Sequence, residues 1–122
     1  MVRFPLLAVA IAAAAFLATS AGAAAAHPKL IGIVGKNDAY AISLTSNGRA
    51  VKTLKHGTYT LVIHDDSAIH NYELDGPHGT SWTFTSVPFK GTMTITITLT
   101  AGKYKAYCVA HESEMFQHFT VR

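Results

Sequence analysis

The chain of 122 residues has one cysteine, one tryptophan and four prolines, and only 14% of it is charged. One cysteine cannot close an internal disulfide, so Cys108 is a free thiol, an intermolecular bridge or a metal ligand. Charge is scarce and mixed: ten Lys/Arg against seven Asp/Glu give +3, with no run of one sign. That argues against a nucleic-acid or anionic-membrane surface. A sustained helical hydrophobic period is also missing after Pro28, which excludes an α-helical domain.

What is present begins with a leader. Residues 1–26 carry one charge, Arg3, then an apolar run over 4–18, then small residues ending in Ala24-Ala25-Ala26. This is the layout of a secretory signal peptide, with cleavage after Ala23 or Ala26, and it predicts a periplasmic or secreted protein. The run is mostly alanine and shorter than the ~20 residues a membrane span needs, so a retained anchor is the weaker reading. Without Arg3, nine Lys/Arg face seven Asp/Glu, a net +2 for residues 27–122. A domain of that size buries a modest core, which a bound metal can reinforce.

Residues 27–122 read as strand nearly throughout. Residues 30–34 are a short apolar run closed by Gly35-Lys36-Asn37-Asp38. Residues 39–45 alternate Tyr40, Ile42 and Leu44 with small or polar partners, and Asn47-Gly48 then gives a hairpin signal. Residues 92–100 alternate Met93, Ile95, Ile97 and Leu99 with threonines, which places the apolar set on a core. Leu54-x-x-Gly57-x-Tyr59 and Leu99-x-x-Gly102-x-Tyr104 share a turn into a strand that begins with tyrosine. In Greek-key sandwiches such a tyrosine bonds back to the preceding connection. Seven to nine short strands predict an all-β, antiparallel Greek-key two-sheet sandwich. Tyr104, Ala106 and Cys108 share a face, so the cysteine points inward at a strand end. His70 follows a turn at Asp65-Asp66-Ser67-Ala68 and is expected to open the next strand, at the same end of the sandwich.

The chemistry concentrates in Tyr107-Cys108-Val109-Ala110-His111-Glu112-Ser113-Glu114-Met115. Cys108, His111 and Met115 form a Cys-x-x-His-x-x-x-Met run, and His70 supplies a second imidazole. A thiolate is soft enough to hold Cu(I), two imidazoles also satisfy Cu(II), and a thioether is a weak axial ligand. His70, Cys108, His111 and Met115 are therefore candidate ligands of one copper ion per chain. Singly, each has a plainer explanation, as a strand-end or loop residue or a small buried hydrophobe. Their joint spacing and the unpaired cysteine favour the metal. His118 is the rival axial ligand, although its alternation with Phe119 points it away from the core. His56, His64 and His78 read as surface or turn residues. Cleavage after Ala26 would make His27 the amino-terminal residue, able to chelate copper through amine and imidazole. A polysaccharide-oxidising brace of that kind needs a larger surface and a dedicated second histidine.

On these residues the chain resembles the cupredoxins, small blue-copper proteins of the plastocyanin, amicyanin and pseudoazurin kind, over nearly all of its length after the leader. Met115-x-x-x-Phe119-x-Val121 fits the family's last strand. Ser67-Ala68-Ile69-His70-Asn71-Tyr72-Glu73-Leu74-Asp75-Gly76-Pro77 resembles a segment of a group of small bacterial exported members. The resemblance implies that Asn71 ties the two ligand segments together around the sulfur. There are departures. Ala110 stands where relatives often have proline, and its N–H is expected to offer the thiolate an extra hydrogen bond. Glu112 and Glu114 lie on a loop that is often apolar in relatives, either facing a basic partner or simply solvated. Gln117 replaces a common glycine, which leaves the path after Met115 open.

The resemblance implies a monomeric one-electron carrier, not an enzyme, that meets redox proteins transiently. It implies no nucleic-acid partner and no stable membrane insertion. Electrons would pass through the exposed edge of His111. Two other readings are a periplasmic copper-binding or delivery protein and a metal-free cupredoxin-like interaction module. In the last, Cys108→Ala would change nothing.

Overall fold

In a computed structural model that describes residues 13–15 and 26–122, the alternating segments become ten strands. They are β1 (Lys29–Val34), β2 (Ile42–Ser46), β3 (Arg49–Ala50), β4 (Thr53–Leu54), β5 (Gly57–Asp65), β6 (Glu73–Asp75), β7 (Ser81–Thr83), β8 (Gly91–Leu99), β9 (Gly102–Tyr107) and β10 (Phe116–Val121). The leader expected over residues 1–26 lies outside the described residues, apart from 13–15 and 26. Among the described residues no helix is long and apolar enough to cross a membrane.

The strands form two five-stranded sheets, ordered β3-β2-β1-β5-β8 and β4-β10-β9-β6-β7. The expected all-β two-sheet sandwich is present, with one correction to strand direction. Both sheets are mixed: β1 runs parallel to β5, from Lys29 opposite Thr60 to Val34 opposite Asp65, and β4 runs parallel to β10. Alternation cannot register this, because an apolar-in, polar-out strand reads the same beside either kind of neighbour. The count exceeds nine because β3 and β4 have two residues each, too short to leave a pattern.

Local signals act where they were expected. Asn47 and Gly48 both take positive φ, 50° and 77°, as a two-residue turn between β2 and β3 requires. Every threonine of β8 is exposed, while Ile97 and Leu99 are buried. The Tyr59 hydroxyl donates to Lys55 O at 2.7 Å and the Tyr104 hydroxyl to Thr100 O at 2.9 Å, so both tyrosines close the turn that precedes them. The core lies between the sheets. Leu30, Val34, Leu44, Leu61, Ile63 and Leu99 come from the first, and Leu74, Tyr104, Ala106, Phe119 and Val121 from the second. Burying each large side chain here contributes on the order of 2 kcal/mol.

Gln117 resolves the path after Met115. Its side chain accepts from Leu44 N at 2.9 Å and donates to Leu44 O and Val51 O, both at 3.0 Å, joining β10 to the β2 side of the other sheet. A glycine would leave these backbone groups without that partner. Gln117→Ala should cost about 2 kcal/mol in urea unfolding, the scale of stranding part-buried polar groups. A loss below ~0.5 kcal/mol, the range of an ordinary surface substitution, would show that the bridge is not structural.

Candidate metal centre

Cys108 continues the extended line of β9, with φ −99° and ψ 125°, before a short 3-10 turn over Val109–His111. Backbone hydrogen bonds then close the loop. His111 N donates to Cys108 O at 3.2 Å, Glu114 N and Met115 N donate to His111 O at 3.0 and 2.8 Å, and Cys108 N donates to Met115 O at 3.1 Å. Cys108, His111 and Met115 thus hang from one small closed ring of backbone, whose ends enter the β9–β10 ladder at Tyr107 and Phe116.

His70 arrives from the other sheet. The chain leaves β5 at Asp65, turns, and begins β6 only at Glu73, so His70 sits in the connection rather than opening the strand. Hydrogen bonds fix that turn: Ser67 N donates to Asp65 Oδ1 at 3.3 Å, Ile69 N to Ser67 Oγ at 3.4 Å, and Asp66 N to Val34 O at 2.9 Å. Asn71 joins the two segments. Its Oδ1 accepts from Val109 N at 2.8 Å, and its Nδ2 donates to Glu73 Oε1 at 3.3 Å. The tie expected of Asn71 is present.

The donor atoms of His70, Cys108 and His111 lie within 4.8 Å of one another. Nδ1 of His70 and Nδ1 of His111 are 3.1 Å apart, and each is 3.8 Å from Cys108 Sγ. A point equidistant from the corners of that triangle lies about 2.1 Å from each, inside the ~2.0–2.3 Å span of metal–imidazole and metal–thiolate bonds. The three residues therefore fit one soft-to-borderline cation. Met115 is 1% exposed, in the same core cluster as Cys108. His70 and Cys108 are fully buried and His111 is half-buried, so the arrangement has one open side.

Two buried polar atoms have no hydrogen-bond partner among the described residues, Nε2 of His70 and Oδ2 of Asp65. Burial raises the Asp65 carboxyl above its ordinary value, partly offset by hydrogen bonds from Thr85 and Ser67. The folded state thus holds this proton more tightly than the unfolded state does. Its contribution to stability is present below the usual carboxylate value and is lost as pH rises through the raised one.

Other candidates fall elsewhere. His118 is exposed, against the ring of Phe116, and not beside the thiolate. His56 bonds Arg122 O and His64 bonds Thr92, while His27 and His78 are exposed. Glu112 pairs with Lys105 at 2.8 Å, and Glu114 is exposed. The described polar contacts of the sulfur are the two imidazoles, and the hydrogen bond expected from Ala110 N–H to Sγ is not among them. One residue escaped the sequence reading. Alternation grouped Tyr40 with the core residues Ile42 and Leu44, yet β2 starts only at Ile42 and Tyr40 lies against both imidazoles.

No family model and no curated protein matches the sequence. Solved structures do match in shape. Rusticyanin from Thiobacillus ferrooxidans aligns with a TM-score of 0.52 at 18% identity, over 77% of this chain and 76% of that one. Reduced rusticyanin aligns with 0.53 at 17%, over 77% and 78%. A reduced amicyanin variant aligns with 0.48 at 15%, over 75% and 80%. The rusticyanin likeness identifies the fold as the cupredoxin sandwich.

The Asn71 tie predicts its own loss. Asn71→Ala should lower stability by about 1–3 kcal/mol and expose the Val109 amide, raising its hydrogen-exchange rate tenfold or more. Unchanged exchange at Val109 would mean that the ligand loop is held without Asn71.

Proposed function

We propose that the chain is an exported type 1 copper protein that carries single electrons between redox partners, with His70, Cys108, His111 and Met115 as ligands. The observation that carries this reading is the triangle of Cys108 Sγ and two Nδ1 atoms, buried on one side and reaching the surface at His111. Rusticyanin, whose fold the chain shares, is described as a copper protein. Copper would supply the Cu(I)/Cu(II) couple. The residues do the rest. Cys108 presents the thiolate at the end of β9, the Asn71 bond fixes the loop against the His70 segment, and the closed ring of backbone holds His111 in register with Cys108. Donors held this way suit both oxidation states with little movement, which favours fast electron transfer.

Exchange with a partner would run through the half-buried His111. Ile69 and Val109, next in sequence to His70 and Cys108, are 48% and 50% exposed and would form part of a small, transient contact. The first described strand begins at Lys29, so cleavage of a leader after Ala26 would leave the sandwich whole.

Titration of residues 27–122 with Cu(II) should produce an intense visible thiolate-to-copper band at one equivalent that Cys108→Ala abolishes, and the band should bleach and return reversibly in a redox titration. A protein that takes up copper without the band would instead be a copper carrier. One whose stability ignores both copper and Cys108→Ala would be an interaction module.

A further inference from the structure

Tyr40 is the most exposed large hydrophobic residue of the domain, at 54%, yet its ring lies against both imidazoles of the candidate site. Its centroid is 4.5 Å from that of His111 at an interplanar angle of 72°, and 4.9 Å from that of His70 at 75°. The two imidazoles are themselves 4.8 Å apart at 71°. Three rings therefore meet edge to face, with the exposed ring of Tyr40 against both imidazoles.

The backbone that carries Tyr40 is fixed independently of those contacts. Gly35, Asn37 and Asp38 all take positive φ, at 68°, 56° and 57°, so the turn after β1 is sharply set. A side chain at Gly35 would clash, because a Cβ there would stand 2.4 Å from Ser67 Cβ and 3.0 Å from His70 Cδ2. Ser67 Oγ donates to Asp38 Oδ1 at 2.9 Å, and Gly35 N donates to Ala41 O at 3.0 Å across the base of the turn. The Tyr40 turn and the His70 turn are thus one packed unit. The tyrosine sits where a tied backbone puts it, against the half-buried ring of His111.

We propose that Tyr40 is a positioning residue for the two imidazoles, holding the His111 ring with Nδ1 turned toward Cys108 and slowing release of the metal from the open side. The release arm rests on the copper reading given above; the positioning arm does not. Edge-to-face contact needs the ring and not the hydroxyl, so phenylalanine should serve and leucine should not.

Three full domains, wild type, Tyr40→Phe and Tyr40→Leu, test this, with urea midpoints first establishing that each is folded. In the metal-free proteins, the ring-proton resonances of His70 and His111 should show matching ring-current shifts in wild type and Tyr40→Phe that disappear in Tyr40→Leu. In the copper-loaded proteins, transfer of Cu(I) to an excess of a Cu(I) chelator should be roughly threefold to tenfold faster for Tyr40→Leu, the scale of a lost aromatic pair, and within about twofold of wild type for Tyr40→Phe. Histidine shifts unchanged in a folded Tyr40→Leu would overturn the positioning role. A Tyr40→Leu that releases copper at the wild-type rate, or a Tyr40→Phe as fast as Tyr40→Leu, would overturn the protection. Should wild type show no thiolate-to-copper band, the copper reading fails alone and the histidine shifts still decide whether Tyr40 holds the rings.

Discussion

Of the three candidate donor atoms the two nearest are imidazole nitrogens, Nδ1 of His70 and Nδ1 of His111, 3.1 Å apart. Two lone pairs at that distance repel unless a proton or a cation lies between them. A proton satisfies only that pair. A cation also answers the sulfur of Cys108, 3.8 Å from each nitrogen, and a deprotonated thiol then completes the donor set. The chemistry of the site follows from this crowding, and the fold's task is to maintain it.

The sandwich does so by bringing two turns to one end. The parallel pairing of β1 with β5 delivers Val34 and Asp65 side by side, so the connection bearing Tyr40 and the connection bearing His70 leave the sheet together. From the facing sheet, β9 and β10 enter the Cys108–Met115 loop as an antiparallel pair closed by its own backbone hydrogen bonds. Asn71 is the buried amide that spans the gap, accepting from Val109 N. Gln117 and the two tyrosines, Tyr59 and Tyr104, tie the rest of the frame through hydrogen bonds within turns and between the sheets.

Much of this was legible where the physics is local. Asn47-Gly48 specifies its turn by conformational preference, the threonines of β8 specify its face by period, and the Leu-x-x-Gly-x-Tyr repeats specify two closures within five residues each. That His70, Cys108 and His111 meet was readable because strand ends, residue types and an unpaired cysteine all pointed to one place. What stayed hidden depends on distant partners. Parallel pairing leaves no mark on alternation, and the bonds of Gln117 reach Leu44 across 73 positions. Tyr40 obeys the period of the following strand without belonging to it, because three consecutive left-handed or turn residues displace the strand's start. The described polar contacts of the sulfur also leave out Ala110 N, which sits in a 3-10 turn too short to leave a pattern in the sequence.

On the proposed reading, one fixed set of donors serves copper in both oxidation states. X-ray absorption at the copper edge, recorded on the Cu(II) and the Cu(I) protein, tests it most directly. The account predicts one short sulfur and two imidazole nitrogens in each state, at nearly unchanged distances. Loss of a nitrogen on reduction, or a sulfur shell that Cys108→Ala leaves in place, would contradict it.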